Sequence, residues 1–436
     1  MSKKKEAPVP TSRVGRFGRM VKIAGGIAGG MVAEGGRRIR DGEKLNAKDM
    51  LLTPGNAQRL TKELSKMRGA AMKMGQMLSM EGGDILPKEL SDILARLRQD
   101  AMWMPAAQLD KAMETAYGED WQDIFYAFNF TPVAAASIGQ VHKAISPEGD
   151  EVALKIQYPG VAKSIDSDVD NISTLLRMSG QLPDSIDIKP ILKEAKLQLK
   201  DEADYLLEAK YLATFHKQLE NDDRFLVPEV FTELSRENVL VMSYIEADPI
   251  EVIAELPQAD RDRIMTDMLD LMMQEFFDWR IMQTDPNFAN YRYKKDTGEI
   301  VLLDFGATRK FSATFVNDYK RLVKAALKGD TPRFHKAAQK LGYLPGNASQ
   351  DYLDFVEEIF NIILEGVLQP GPYDFGATTI PAQMMEYVDQ IQDYKEFWSA
   401  PPTDAIFFHR KVGGMFMLAS RMNARVDVHK LLHQWL

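Results

Sequence analysis

An α+β protein of two lobes is the fold that the sequence predicts, and three observations predict it. Strand-type alternation is concentrated between about residues 126 and 157, long helical patterns follow, and a loop–strand–loop unit interrupts the helical remainder. The 436-residue chain is long enough for such a body plus an added segment, and 45% hydrophobic with 27% charged residues suits globular material with a sizeable core. Cysteine is absent, which excludes disulfides, thiolate metal sites and cysteine nucleophiles.

Taken in order, residues 1–50 read as a basic, Gly-rich arm with 12 Lys/Arg against 5 Asp/Glu, for a net +7. The rest of the chain is acidic at -16, which argues against a nucleic-acid surface and leaves the arm suited to anionic lipid or to solvent. Gly25, Gly26, Gly29 and Gly30 place small residues on one helix face or make a flexible linker. The Met20–Ala33 run is too short and too Gly-rich for a spanning helix or an export signal, so a cytoplasmic protein peripheral to the inner membrane is expected.

Residues 51–125 form a helical extension, with apolar periodicity over Thr61–Met80 and punctuation at Pro87 and Pro105. Its methionines, Met67, Met72, Met74, Met77 and Met80, suit an adaptable core better than a lipid contact. Residues 126–246 form the first lobe. There Phe128–Val133 and Gln140–Ile145 flank an Ala-rich turn, Glu151–Gln157 alternates as a strand, and Val239–Tyr244 is a buried strand. Two helical patterns, Val161–Met178 and Ile188–Leu219, lie between them. Residues 247–436 form a mainly helical second lobe.

Six features carry the chemistry. Val152-Ala153-Leu154-Lys155 ends a strand on a lysine able to reach phosphates. Upstream, Ala134, Ala135, Ala136, Ser137 and Gly139 occupy the place of a phosphate-covering loop, where only Gly139 visits positive φ freely. Asp285-Pro286-Asn287-Phe288-Ala289-Asn290 has the D-x-x-x-x-N spacing that lets Asp285 orient a nucleophile and Asn290 reach a metal. Asp304-Phe305-Gly306 follows a strand and offers a carboxylate to Mg²⁺. Met242, Ser243, Tyr244 and Ile245 form a candidate hinge whose backbone reads an adenine edge. For the carboxylate that pairs Lys155, Glu194 is favoured and Glu202 is the alternative, because both fall on one side of a continuous helix. Each feature is weak alone; their order is that of a bilobal protein-kinase-like fold binding ATP and Mg²⁺.

Two further motifs narrow the resemblance. Lys73-Met74-Gly75-Gln76 is similar to the K-x-G-Q signature of UbiB-type atypical kinases, the ADCK-containing family associated with ubiquinone (coenzyme Q) biosynthesis. Glu202-Ala203-Asp204 is similar to that family's E-x-D motif. The resemblance covers about residues 55–310 and implies that the alanine-rich loop replaces a glycine-rich one. Phe288 and Ala289 depart from the usual Pro and Gly, and Gln283-Thr284-Asp285-Pro286-Asn287 is closer to the mitochondrial members.

By the same resemblance, Lys73 and Gln76 bond Glu202 and plug the groove where a protein kinase receives its peptide. Phe311–Thr314 leads almost directly into the helical pattern Phe315–Ala326, which leaves little room for an activation segment. The expected function is therefore an atypical kinase or ATPase supporting coenzyme Q biosynthesis at a membrane, not a protein kinase acting in trans. Phosphoryl transfer to a polyprenyl phenol and a non-catalytic nucleotide-dependent scaffold are the alternatives. Expected partners are anionic membrane lipid, quinone or polyprenyl phenol precursors, ubiquinone-biosynthesis enzymes and a second copy in a homodimer, with no nucleic acid. His429 and His433 are spaced as H-x-x-x-H, but Lys430 stands where a zinc protease needs Glu, so a helix end is the simpler reading.

Overall fold

The computed structural model describes residues 40, 103–136, 138–178, 189–390, 394, 397 and 401–436. The basic arm (apart from residue 40), the Thr61–Met80 helix with Lys73 and Gln76, Ser137, and the Glu194 side chain lie outside what is described.

In chain order the elements begin with α1 (Ala106–Tyr117), β1 (Ala127–Phe128), β2 (Ala134–Ala135), β3 (Gly139–Ile145) and β4 (Glu151–Gln157). Helices α2 (Val161–Met178), α3 (Lys189–Glu202) and α4 (Tyr205–Leu219) come next, then β5 (Phe225–Leu226), β6 (Val239–Ser243) and β7 (Asp248–Pro249). Helix α5 (Gln258–Gln274) precedes β8 (Ile281–Gln283), β9 (Tyr291–Tyr293), β10 (Ile300–Leu302) and β11 (Thr308–Lys310). The remainder comprises α6 (Ala313–Leu327), α7 (Thr331–Lys340), α8 (Gln350–Ile363), α9 (Glu365–Leu368), β12 (Tyr373–Asp374), α10 (Ile380–Gln390), α11 (Thr403–Arg421), β13 (Arg425–Val426) and α12 (Val428–His433).

The chain divides into two compact units: one runs to Ala213 and takes in Pro228–Tyr244, and the other comprises Thr214–Val227 and Ile245–Leu436. The first is built on a five-stranded sheet of order β1-β3-β4-β6, with β2 also on β3. All its pairings are antiparallel, and β4 is central and buried from Val152 to Gln157. The Phe128–Val133 strand expected from sequence is split. Thr131 N donates to Asn129 Oδ1 at 2.9 Å, an Asx turn that ends β1, and Pro132 adds no amide to a ladder. Beneath β1, Trp121 is buried against Phe128 and Phe130, with ring centroids 5.0 and 6.0 Å away.

The expected continuous helix Ile188–Leu219 is two helices. Asp204 stops the first and starts the second, accepting from Leu207 N at 2.9 Å as an N-cap. That break resets the rotational phase of every side chain beyond it.

The second unit holds a four-stranded sheet of order β5-β10-β9-β7 and the β8–β11 ladder. Helix α5 runs into a π-helical turn, Glu275–Trp279, closed by Arg280 in the left-handed region at φ 56°. Helix α6 starts on its cap Ser312, whose Oγ accepts from Phe315 N at 3.1 Å. No described helix is long and apolar enough to cross a membrane.

Candidate active site

In the first unit Lys155 lies in register between Val141 of β3 and Leu240 of β6, and it is 7% exposed. Its Nζ donates to both carboxylate oxygens of Glu208 on α4, at 2.6 and 2.9 Å. The pairing with Glu194, or with Glu202 as the alternative, is thereby corrected. Both candidates assumed one uninterrupted helix, whereas the Asp204 cap starts a new one that brings Glu208 to the lysine. Glu208 is 1% exposed, so two charges have left water together, which is tolerable only because they are paired and hydrogen-bonded. The Tyr205 ring centroid lies 5.3 Å from Nζ and closes one side of the pair.

The alanine-rich stretch is the tip of the β2–β3 hairpin. Ala134 faces Val141, Ala135 faces Gln140, and Ala136 N donates to Gly139 O at 3.0 Å. Gly139 is not in the positive-φ region; it is a strand residue paired with Gln157. Glycine is required for space, since a Cβ there would stand 2.3 Å from Ile156 O and 2.8 Å from Tyr205 Oη. At the hinge, Met242 pairs with Ala153 and is buried. Ser243 N donates to Glu229 O and Tyr244 N to Glu151 O, both at 2.9 Å, so neither amide is available to an adenine edge. Glu202 is buried at the end of α3, whereas Asp204 of the same motif is exposed and spent on capping.

In the second unit the backbone brings Asp285, Asn290 and Asp304 together. Antiparallel pairing of Tyr291 with Leu302 sets Asn290 and Asp304 at one end of the β9–β10 ladder, and Leu303 N donates to Asn290 O at 3.0 Å. On the other side Gln283 pairs with Thr308, while Thr284 N and Oγ1 both donate to Ala307 O. The loop is thus stitched to the Asp304 segment along both edges. Within it, Asn290 Nδ2 donates to Asp285 Oδ2 at 3.2 Å, and Asp304 Oδ1 accepts from Gly306 N at 3.0 Å. Phe305 is buried with its ring centroid 4.6 Å from that of Phe215.

Sequence reasoning missed helix α11, which lies directly on this loop. A Cβ at Gly414 would come 2.0 Å from Pro286 Cβ. Arg410 Nη2 stands 3.9 Å from Asp285 Oδ1. The next residue, Lys411, is 3% exposed and donates to Tyr291 Oη at 2.9 Å and Gln283 Oε1 at 3.4 Å, with Glu275 Oε2 at 3.7 Å. Burial alone would favour the neutral amine, but the Glu275 carboxylate and Tyr291 more than offset it, and the Lys411 pKa is raised. Burial also pushes the Glu275 carboxyl up to about 7, against the pull of Lys411. Lys411 therefore ties the π turn to both ends of the Asp285 loop. An Arg-Lys pair inside an otherwise apolar helix, followed by Gly413-Gly414, was the available signal.

His429 and His433 each use Nδ1 on a backbone carbonyl, of Val367 at 2.7 Å and of His429 at 2.8 Å. They serve the helix end.

A strand lysine held by a helix carboxylate, with an Asp–Asn loop laced to an Asp-Phe-Gly segment, defines the kinase-like class. The ABC1 atypical kinase-like domain matches residues 96–338. Similar proteins include atypical kinase COQ8, mitochondrial, of Saccharomyces cerevisiae, 36% identical over 434 residues that cover 99% of this chain and 86% of that protein. Atypical kinase COQ8B, mitochondrial, of Rattus norvegicus is 37% identical over 98% of this chain and 81% of its own length. Atypical kinase coq-8, mitochondrial, of Caenorhabditis elegans is 35% identical over the whole of this chain, which spans 58% of that relative's length. Among solved structures, the complex of Rv3197 with erythromycin from Mycobacterium tuberculosis aligns with a TM-score of 0.59 at 26% identity, covering 87% of this chain and 95% of that one. The chain belongs to the ABC1, or UbiB-type, atypical kinase-like family.

Proposed function

We propose that this protein binds Mg-ATP, turns it over beside a membrane, and supports coenzyme Q biosynthesis rather than phosphorylating other proteins. The observation that carries the reading is the Asp285–Asn290–Asp304 assembly, in which two backbone ladders and one side-chain bond hold three oxygen-bearing groups at a common edge. The donor chemistry suits the metal. Mg²⁺ needs only one or two protein oxygens when phosphates and waters supply the rest, and Asp304 with Asn290 Oδ1 offers that number. When bound, the ion neutralises charge on the phosphates. Asp285 orients a water or hydroxyl, and Lys155, held by Glu208, meets the phosphates.

The ladder end at Lys310 runs through the cap Ser312 directly into α6, so the chain spends no long segment on receiving a peptide. Lys73, Gln76 and Glu202 would gate the site. The names of the relatives, mitochondrial COQ8-type atypical kinases, support the assignment to quinone-lipid synthesis.

The test is phosphate release from ATP with Mg²⁺, with and without anionic vesicles and a phenolic quinone precursor. Turnover stimulated by both is expected. Asp304→Asn abolishes it without unfolding the protein, and unchanged turnover in that variant would refute the metal assignment. Mass spectrometry of the phenol separates hydrolysis from transfer, since only transfer leaves a phosphorylated product.

A further inference from the structure

We propose that a groove on α6 and α7 binds a ligand carrying two or more phosphate groups, at a site separate from the nucleotide residues. Arg321, Lys324 and Lys328 recur at i, i+3 and i+7 along α6 and its C-cap. Arg333, Lys336 and Lys340 repeat that spacing on α7. Residues so spaced share a helix face, and both stripes border one cavity of about 540 Å³ lined otherwise by Ala325, Ala337 and Asp330. All six cations are exposed.

Two are already matched, Arg321 by Asp318 and Arg333 by Asp330. Lys324, Lys328, Lys336 and Lys340 make no ion pair among the described residues. Complementing a helix dipole accounts for Lys324, Lys328 and Lys340 at C-terminal ends. It does not account for Lys336, nor for both stripes facing one groove. Four lysines without an ion pair line one groove although acidic residues outnumber basic ones in the chain, 63 to 54. Their mutual repulsion is relieved by an anion of matching charge. Two phosphate groups bring roughly -3 to -4. The dimensions agree: seven helical residues rise about 10 Å, and packed helices lie about 8–10 Å apart. The flexible four-carbon lysine stems let ammonium groups from both stripes converge on a pyrophosphate or a bisphosphorylated lipid headgroup, and both present the same chemistry.

Titration calorimetry of the full chain with sodium pyrophosphate in EDTA tests the site. The variant combining Lys324→Gln, Lys328→Gln, Lys336→Gln and Lys340→Gln should bind roughly a thousandfold more weakly. It should turn over ATP like the wild type, and four Lys→Arg changes should restore binding. Lys155→Met, which disables the nucleotide site, should leave pyrophosphate binding intact even if the function proposed above is wrong. A second arm measures retention on phosphatidylcholine vesicles with and without a phosphatidylinositol bisphosphate. Retention that is lost in the Gln variant identifies a headgroup as the source, and binding confined to pyrophosphate identifies a free anion. The proposal fails if the Gln variant matches the wild type in both arms, if Lys155→Met abolishes pyrophosphate binding, or if the wild type takes up neither probe.

Discussion

Lys155 Nζ sits 2.6 Å from Glu208 Oε1, and both side chains are almost wholly withdrawn from solvent. The pair joins the central strand of the first unit to α4. Glu208→Gln removes the carboxylate to which the buried ammonium donates at 2.6 and 2.9 Å, a loss worth about 3–5 kcal/mol in comparable pairs. The expected outcome is a thermal midpoint lowered by several degrees together with loss of ATP turnover. Lys155→Met with Glu208→Leu, which removes both charges, should recover most of the stability and none of the turnover.

Gly139→Ala tests why that position is glycine. The added methyl meets a backbone carbonyl at 2.3 Å, and a carbonyl in a ladder cannot step aside as a flexible side chain would. Denaturant titration should show a loss of about 1–3 kcal/mol. A neutral result would mean that the β3–β4 ladder is looser than described.

The seat of α11 on the Asp285 loop is tested by a matched pair of glycines. A Cβ at Gly414 overlaps Pro286, whereas one at Gly413 meets nothing within 4 Å. Gly414→Ala should lower kcat at least tenfold by displacing the loop, while Gly413→Ala keeps kcat and gains about 0.5–1 kcal/mol of helix stability. Equal turnover in the two variants would show that α11 does not position the loop.

A pH effect follows from His409. Crowding of the ring by neighbouring groups lowers its pKa to about 4 although the residue as a whole is exposed, and its neutral Nε2 bonds Tyr319 Oη at 2.7 Å and Tyr343 Oη at 2.8 Å. A histidine whose folded pKa is depressed contributes stability above its unfolded value near 6.5, and that contribution is lost as pH falls toward 4. Because the residue is exposed and solvent screens the shift, the acid-side loss between pH 7 and pH 4 should stay within about 1 kcal/mol. His409→Phe should flatten that part of the stability–pH curve, which chemical denaturation at fixed pH steps would record.

Much of the site was legible because its chemistry is local in sequence. Asp285 and Asn290 share one loop, and Asp304 follows the next hairpin, so spacing alone predicted an assembly that the β9–β10 register then brought together. Lys155 was legible for the same reason, as the end of an alternating strand. Its partner was not. Six residues separate Glu202 from Glu208, and a helical wheel drawn through both ignores Asp204, whose side chain caps a new helix. The N-cap signal was present but was read as half of a family motif. Arg410, Lys411 and Gly414 lie more than a hundred residues from the loop they touch.

The sequence by itself determined the α+β class and the order of the chemical elements, which rest on periodicity and on spacing within short segments, and it pointed to the family through motifs that resemble that family's own. Only the tertiary structure decided which carboxylate neutralises Lys155, why residue 139 has no side chain, and what holds the Asp285 loop. Those outcomes depend on distances between elements far apart in the chain, set by caps and registers that a one-residue change in phase would redirect.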